Sequence, residues 1–101
     1  MKPFGFHPEA RSEFHESALY YESQQTGLGR RFVEAVRDAI VRIRTQPLLF
    51  RETEPGIRRC RTLRFPYGVI YRLKGGAVEV LAGMHLSRKP GYRKHRQGRC
   101  S

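Results

Sequence analysis

The period of the apolar residues changes once along this chain, and that change limits its fold more than any other feature. Ala10, Phe14, Ala18 and Tyr21 recur at helical spacing, and Phe32, Val33, Val36, Ala39, Ile40 and Ile43 repeat the pattern. From Ile57 onward apolar and polar residues alternate, as on a strand with one buried face. Two helical runs followed only by strands predict an α+β domain, with the helices gathered on one face of a small sheet.

Local signals set the boundaries. Residues 2–7 read as a short opening strand, with Phe4 and Phe6 on one side of the pleat. Pro8 suits the first helical position, where its missing N–H is no loss. Glu9 and Glu13 then lie near the positive end of the helix dipole. Thr26-Gly27 ends this helix, with Gly27 a candidate left-handed cap. A second helix runs from residue 28 or 29 to about 46, where Pro47 stops it, and Arg42 and Arg44 complement its negative end. So short a link predicts an antiparallel helical hairpin. Residues 48–56 read as a loop, 57–65 as a strand, 66–68 as a bend, 69–73 as a strand, 74–76 as a turn and 78–85 as the last strand. Uninterrupted alternation in the last strand puts Val78, Val80, Ala82 and Met84 on one face and Glu79, Leu81, Gly83 and His85 on the other. The expected fold is therefore two-layered, β-α-α-β-β-β, with the hairpin packed on a mainly antiparallel sheet.

At 101 residues there is room for one domain. Residues 1–86 are expected to form it, and 87–101 a basic tail that stays partly mobile without a partner. Charge divides the chain differently. Residues 1–55 carry eight basic and eight acidic residues, whereas 56–101 carry twelve basic residues and one acid, Glu79. The whole excess of +11 thus belongs to the second half, which points to a face that attracts anionic partners, either nucleic acid or an acidic protein.

Other classes are disfavoured. No apolar run approaches the roughly 20 residues of a membrane span. The first ten residues hold no apolar segment of the secretory kind, so a cytoplasmic protein is expected. Cys60 and Cys100 make neither a disulfide framework nor a metal set, and His7 and His15 lack metal-ligand spacing with them. No cofactor signature occurs; Gly27-Leu28-Gly29 follows a helix, unlike a phosphate loop.

The chemistry-bearing residues lie in the basic half. Arg58, Arg59, Arg61 and Arg64 crowd one stretch, and arginine makes forked contacts to phosphate or carboxylate. Alternation separates Arg59 and Arg61 from Arg58 and Arg64. A solvated strand protected from edge pairing would look the same. His85, Arg88 and Tyr92 combine an acid, a charge stabiliser and a base of the kind RNA cleavage uses, yet the same three suit contact with a protein partner. Glu79 is the other candidate base, but along one strand it lies about 20 Å from His85, at roughly 3.3 Å per residue.

Four segments, in order, resemble the RelE/ParE toxin family, and most closely its ParE-like branch. They are Tyr20-Tyr21-Glu22; Gly27-Leu28-Gly29 with Phe32; Arg64-Phe65-Pro66-Tyr67-Gly68-Val69-Ile70-Tyr71; and Val78-Glu79-Val80-Leu81-Ala82 running to His85, Arg88, Pro90 and Tyr92. The resemblance implies a toxin encoded beside an antitoxin that wraps it, giving a hetero-oligomer. Within the family, RelE-like members cleave messenger RNA on the ribosome, and ParE-like members are associated with inhibition of DNA gyrase. RNA-cleaving relatives carry an arginine just before the apolar-apolar-Tyr of the central strand, where this chain has Gly68. The resemblance therefore favours a binding toxin, with Arg58, Arg59, Arg61, Arg64, Arg72, Arg88 and Tyr92 as its target-binding set. If the activity is ribonucleolytic, Arg61, His85, Arg88 and Tyr92 are the catalytic candidates. A basic nucleic-acid-binding module without toxicity is a third alternative. Many relatives follow the tail Tyr with Trp; here it is Arg93.

Overall fold

The computed structural model of the chain describes residues 1–86. Its elements are β1 (Phe4–Phe6), α1 (Pro8–Gln24), α2 (Leu28–Thr45), β2 (Glu52–Glu54), β3 (Ile57–Arg61), β4 (Tyr67–Lys74) and β5 (Ala77–His85). The strands form one sheet in the order β1-β5-β4-β3-β2, with β1 parallel to β5 and every other pair antiparallel. The expected two-layer α+β architecture is the one adopted. One strand escapes the pattern: β2 lies inside the stretch that reads as a loop. Three exposed residues are too few to carry an alternation, and two of them are glutamates on a sheet edge, where charge discourages further pairing.

The hairpin is closed by its polar ends. Pro8 opens α1, and the ring of His7 accepts the N–H of Glu9 at 3.2 Å. Gly27 adopts φ 89°, the left-handed conformation expected of it, and serves as the N-cap of α2. The Glu22 carboxylate spans the junction, accepting the N–H groups of Gly27 at 3.1 Å and of Gly29 at 3.0 Å. Two orphan donors of the α2 N-terminus are thereby satisfied by a negative charge at the positive end of the dipole.

Beneath the hairpin, Phe32, Val36, Ala39, Ile40 and Ile43 of α2 meet Cys60, Tyr67, Val69, Tyr71, Val78 and Val80 of the sheet. Each large apolar side chain so buried contributes about 1.5–3 kcal/mol. Phe32 packs edge-on to Tyr67 with centroids 4.7 Å apart. The buried tyrosines keep polar partners: Tyr71 donates to the Pro47 carbonyl at 2.7 Å, and the Tyr67 hydroxyl accepts from Ser17 at 3.2 Å. Burial pushes the Tyr71 phenol up to about 12, so it stays protonated.

Two sequence expectations need correcting. Strand β3 stops at Arg61 rather than at residue 65, and Tyr67 and Gly68 belong to β4 rather than to a bend. The reversal is a tight turn at residues 62–66 that buried Thr62 holds through its own hydroxyl. The alternation of β5 is also interrupted. Ile70 pairs with Ala82, but its neighbour Tyr71 pairs with Val80, which leaves Leu81 as a bulge. Val78 and Val80 face the helices before it, and Gly83 and His85 after it. Ala82 and Met84 therefore lie on the opposite face from Val78 and Val80. The Glu13 carboxylate of α1 accepts the Gly83 N–H at 3.0 Å just beyond the bulge.

Candidate target-binding face

Cys60 points into the core, fully enclosed, with its thiol 3.9 Å from the Ala39 carbonyl of α2. Arg59 and Arg61 flank it in sequence and so point to the face without helices. On β4, Tyr67, Val69 and Tyr71 are core residues, which places Gly68, Ile70 and Arg72 on that same open face. The register sets Arg59 opposite Ile70, Arg61 opposite Gly68 and Arg72 opposite Glu79. Three arginines of the expected target-binding set thus share one surface.

They are not equivalent. Arg72 is neutralised by Glu79, Nε to Oε1 2.6 Å. The hydrogen bond from Arg72, aided by the charges of Arg72, Lys74 and His7 and opposed by desolvation, holds the Glu79 carboxyl below the usual range. Glu79 is therefore an ionised ion-pair partner, poorly suited to take a proton near neutral pH. Among the described residues, no acid lies in ion-pair reach of Arg59 or Arg61. The stem of Arg59 lies across bare backbone at Gly68, where an added Cβ would meet its Cδ at 3.0 Å and its Cγ at 3.1 Å. Gly68 leaves the room that this arginine occupies.

The remaining candidates separate from this pair. Arg58 is on the helix side and donates to the carbonyls of Phe50 at 2.8 Å and Leu48 at 3.3 Å, tying down the loop after α2. Arg64 stands exposed in the turn after β3. His85 is on the helix face, only 8% exposed. Its Nε2 lies 3.3 Å from Ser17 Oγ and its Nδ1 3.4 Å from the Tyr21 hydroxyl, and Tyr67 packs edge-on at 4.9 Å. His85 and Arg61 thus lie on opposite faces of the sheet. Arg88, Tyr92 and the tail lie outside the described residues.

A second surface lies beside the helices. Between β1, α1 and α2 runs a groove of about 530 Å³, floored by Phe6, Phe14 and Ile40, walled by Phe4, Val33 and Val41, and bordered by Arg37 and Arg44. The Arg44 guanidinium sits 4.7 Å from the Phe4 ring centroid, a cation–π distance. Its one sequence signal was Phe4 and Phe6 sharing a side of the pleat beside a helix with surplus apolar width. Among the described residues, no cluster of His, Cys, Asp or Glu could hold a metal ion, and no helix is long and apolar enough to cross a membrane.

A family model described as the ParE toxin of the type II toxin–antitoxin system, parDE, matches residues 5–90. The chain belongs to the ParE toxin family. Solved structures carry the same fold at low identity. One, described as the chromosomal ParDE system from P. aeruginosa, is 16% identical with a TM-score of 0.63, covering 86% of this chain and 98% of that one. Another, the isolated RelE toxin of E. coli, is 14% identical with a TM-score of 0.66, covering 97% and 98%. Comparison with curated proteins gives no match. In this fold Glu22 and the Gly27-Leu28-Gly29 link form a helix junction.

Proposed function

We propose that this ParE-family toxin acts in the cytoplasm by binding DNA gyrase through the open sheet face, and that a cognate antitoxin neutralises it. The observation that carries the reading is the separation of Arg59 and Arg61 from His85. A ribonuclease needs an acid or base and a charge stabiliser on one phosphate. Here the imidazole is enclosed under the sheet by Ser17, Tyr21 and Tyr67, while Arg59 and Arg61 project from the other side. Two guanidinium side chains, Arg61 exposed and Arg59 half-buried, with no acid in ion-pair reach among the described residues, suit electrostatic docking on an acidic protein surface. The groove suits the antitoxin: an amphipathic helix with an apolar stripe fits its walls, and acidic flanks would meet Arg37 and Arg44.

A supercoiling assay with purified gyrase tests the target. Inhibition by the toxin at stoichiometric excess is expected, and unimpaired supercoiling under those conditions removes gyrase from the account. New messenger ends by primer extension, abolished by His85→Ala, would instead support RNA cleavage. For the antitoxin, Val33→Glu places a charge in the groove wall. It is expected to leave growth arrest intact and to weaken rescue by the antitoxin at least tenfold; unchanged rescue would move the antitoxin elsewhere.

A further inference from the structure

The turn at residues 62–66 is built more tightly than a connection between two strands requires. Among the described residues, Arg64 is the one non-glycine with a positive φ, 70°. Arginine adopts this left-handed conformation rarely and at a cost, since its Cβ crowds the carbonyl that follows. Such a conformation persists only where the surroundings over-determine it. They do so here. The Thr62 N–H donates to the Tyr67 carbonyl at 2.9 Å, and the Thr62 hydroxyl lies 3.2 Å from that oxygen and 3.1 Å from the Phe65 carbonyl. Tyr67 N–H also donates to Phe65 at 2.8 Å, and Phe65 is pinned by the rings of Tyr21 and Phe32 at 4.9 and 5.5 Å.

The scaffold buries Thr62 and Phe65 and lifts out the two residues between them. Leu63 is 58% exposed despite being apolar, and Arg64 is exposed beside it. Neither is explained by packing. The turn also adjoins the open face: Arg61 ends the strand that enters it, and Leu86, the last described residue, donates its N–H to Pro66 at 2.8 Å. The six basic residues of 87–101 follow from that point in the sequence.

We propose that this turn is a preformed contact tip that seats Leu63 in an apolar notch of a protein target and Arg64 on the notch's acidic rim. A protein is favoured over a nucleic acid because leucine neither stacks on a base nor bonds a phosphate, whereas a protein pocket can desolvate it beside an arginine, a residue enriched at protein-contact centres. A tip held rigid before binding loses little freedom on docking. The proposal rests on the binding-toxin reading above.

The test compares wild type, Leu63→Ser and Arg64→Gly, full-length, induced without antitoxin, with survival counted and each melting temperature measured. Arg64→Gly removes both the charge and the left-handed crowding, so its melting temperature is expected to stay level or rise by about 2–5 °C. Survival is expected to rise at least tenfold in both variants. Growth arrest intact in both, with melting unchanged or raised, overturns the contact tip while leaving the toxin reading in place. Arrest lost in Arg64→Gly but intact in Leu63→Ser also overturns it, because a purely ionic contact of the phosphate type needs no leucine. No arrest from the wild type would remove the toxin reading and this proposal with it.

Discussion

Gly29 sets how closely the two helices approach. A Cβ there would lie 2.6 Å from the Ala18 carbonyl and 3.0 Å from the Glu22 side chain, so even a methyl group forces the crossing apart. Gly29→Ala is expected to lose about 1–3 kcal/mol in urea unfolding, the usual range for overpacking. Glu22→Ala is expected to lose about 1 kcal/mol by freeing the same helix donors. Cys60 offers a chemical check on the core. Burial, the largest influence, pushes its thiol up against a smaller lowering by Arg42, which depletes the reactive thiolate at neutral pH. In a Cys100→Ser chain, alkylation of Cys60 is expected to be slow until urea unfolds the domain; rapid labelling of the native chain would contradict its enclosure. Glu79 gives the matching test on the open face. Its carboxyl is depressed by Arg72, so the pair's contribution is complete above the unfolded value and fades as pH falls through the lower folded one. Arg72→Gln is expected to move the Glu79 midpoint upward in an NMR titration, and an unmoved midpoint would deny the pairing.

At the level of elements, the sequence was most legible where a pattern ran uninterrupted. The two helical stripes, Pro8, Gly27 and Pro47 located α1 and α2 within a residue or two, because each signal acts on its own backbone. The faces of β5 were not legible past Val80. A bulge is a statement about two strands at once, and nothing local to Leu81 announces that Tyr71 pairs with Val80 while Ile70 pairs with Ala82. That single displaced residue decides the functional reading, since it puts His85 under the helices instead of leaving it on the face of Glu79. Gly83 is the element's weak point: a Cβ there would strike the Tyr67 hydroxyl and approach Phe14 to 2.6 Å. Gly83→Ala is expected to cost more than Gly29→Ala in the same urea experiment, because the obstacles are the buried Tyr67 ring and the Phe14 ring packed against the core. A neutral effect would mean that β5 does not take this register.

For the molecule as a whole, the charge division of the sequence is carried only in part into the described surfaces: Arg59 and Arg61 stand on the open face, Arg58 lies on the helix side and Arg72 is paired with Glu79. The first half supplies the helices and the groove; the second half supplies β3, β4 and β5, where Arg59 and Arg61 have no acid in ion-pair reach among the described residues. Association through such a face slows as salt shortens the reach of the field, about 10 Å at 0.1 M. The pairing of Arg59 and Arg61, and the placing of Arg58 on the other face, were readable from strand periodicity, whereas the neutralisation of Arg72 and the bonds of Arg58 to Leu48 and Phe50 depend on contacts from other strands and loops. The most direct test of the account is growth after induction of Arg59→Glu/Arg61→Glu beside wild type. Both side chains lie on the face of the sheet away from the helices, so the variant is expected to melt within a few degrees of wild type while growth arrest disappears. A folded double variant that stops growth as fully as the wild type would show that the open face is not where this toxin meets its target.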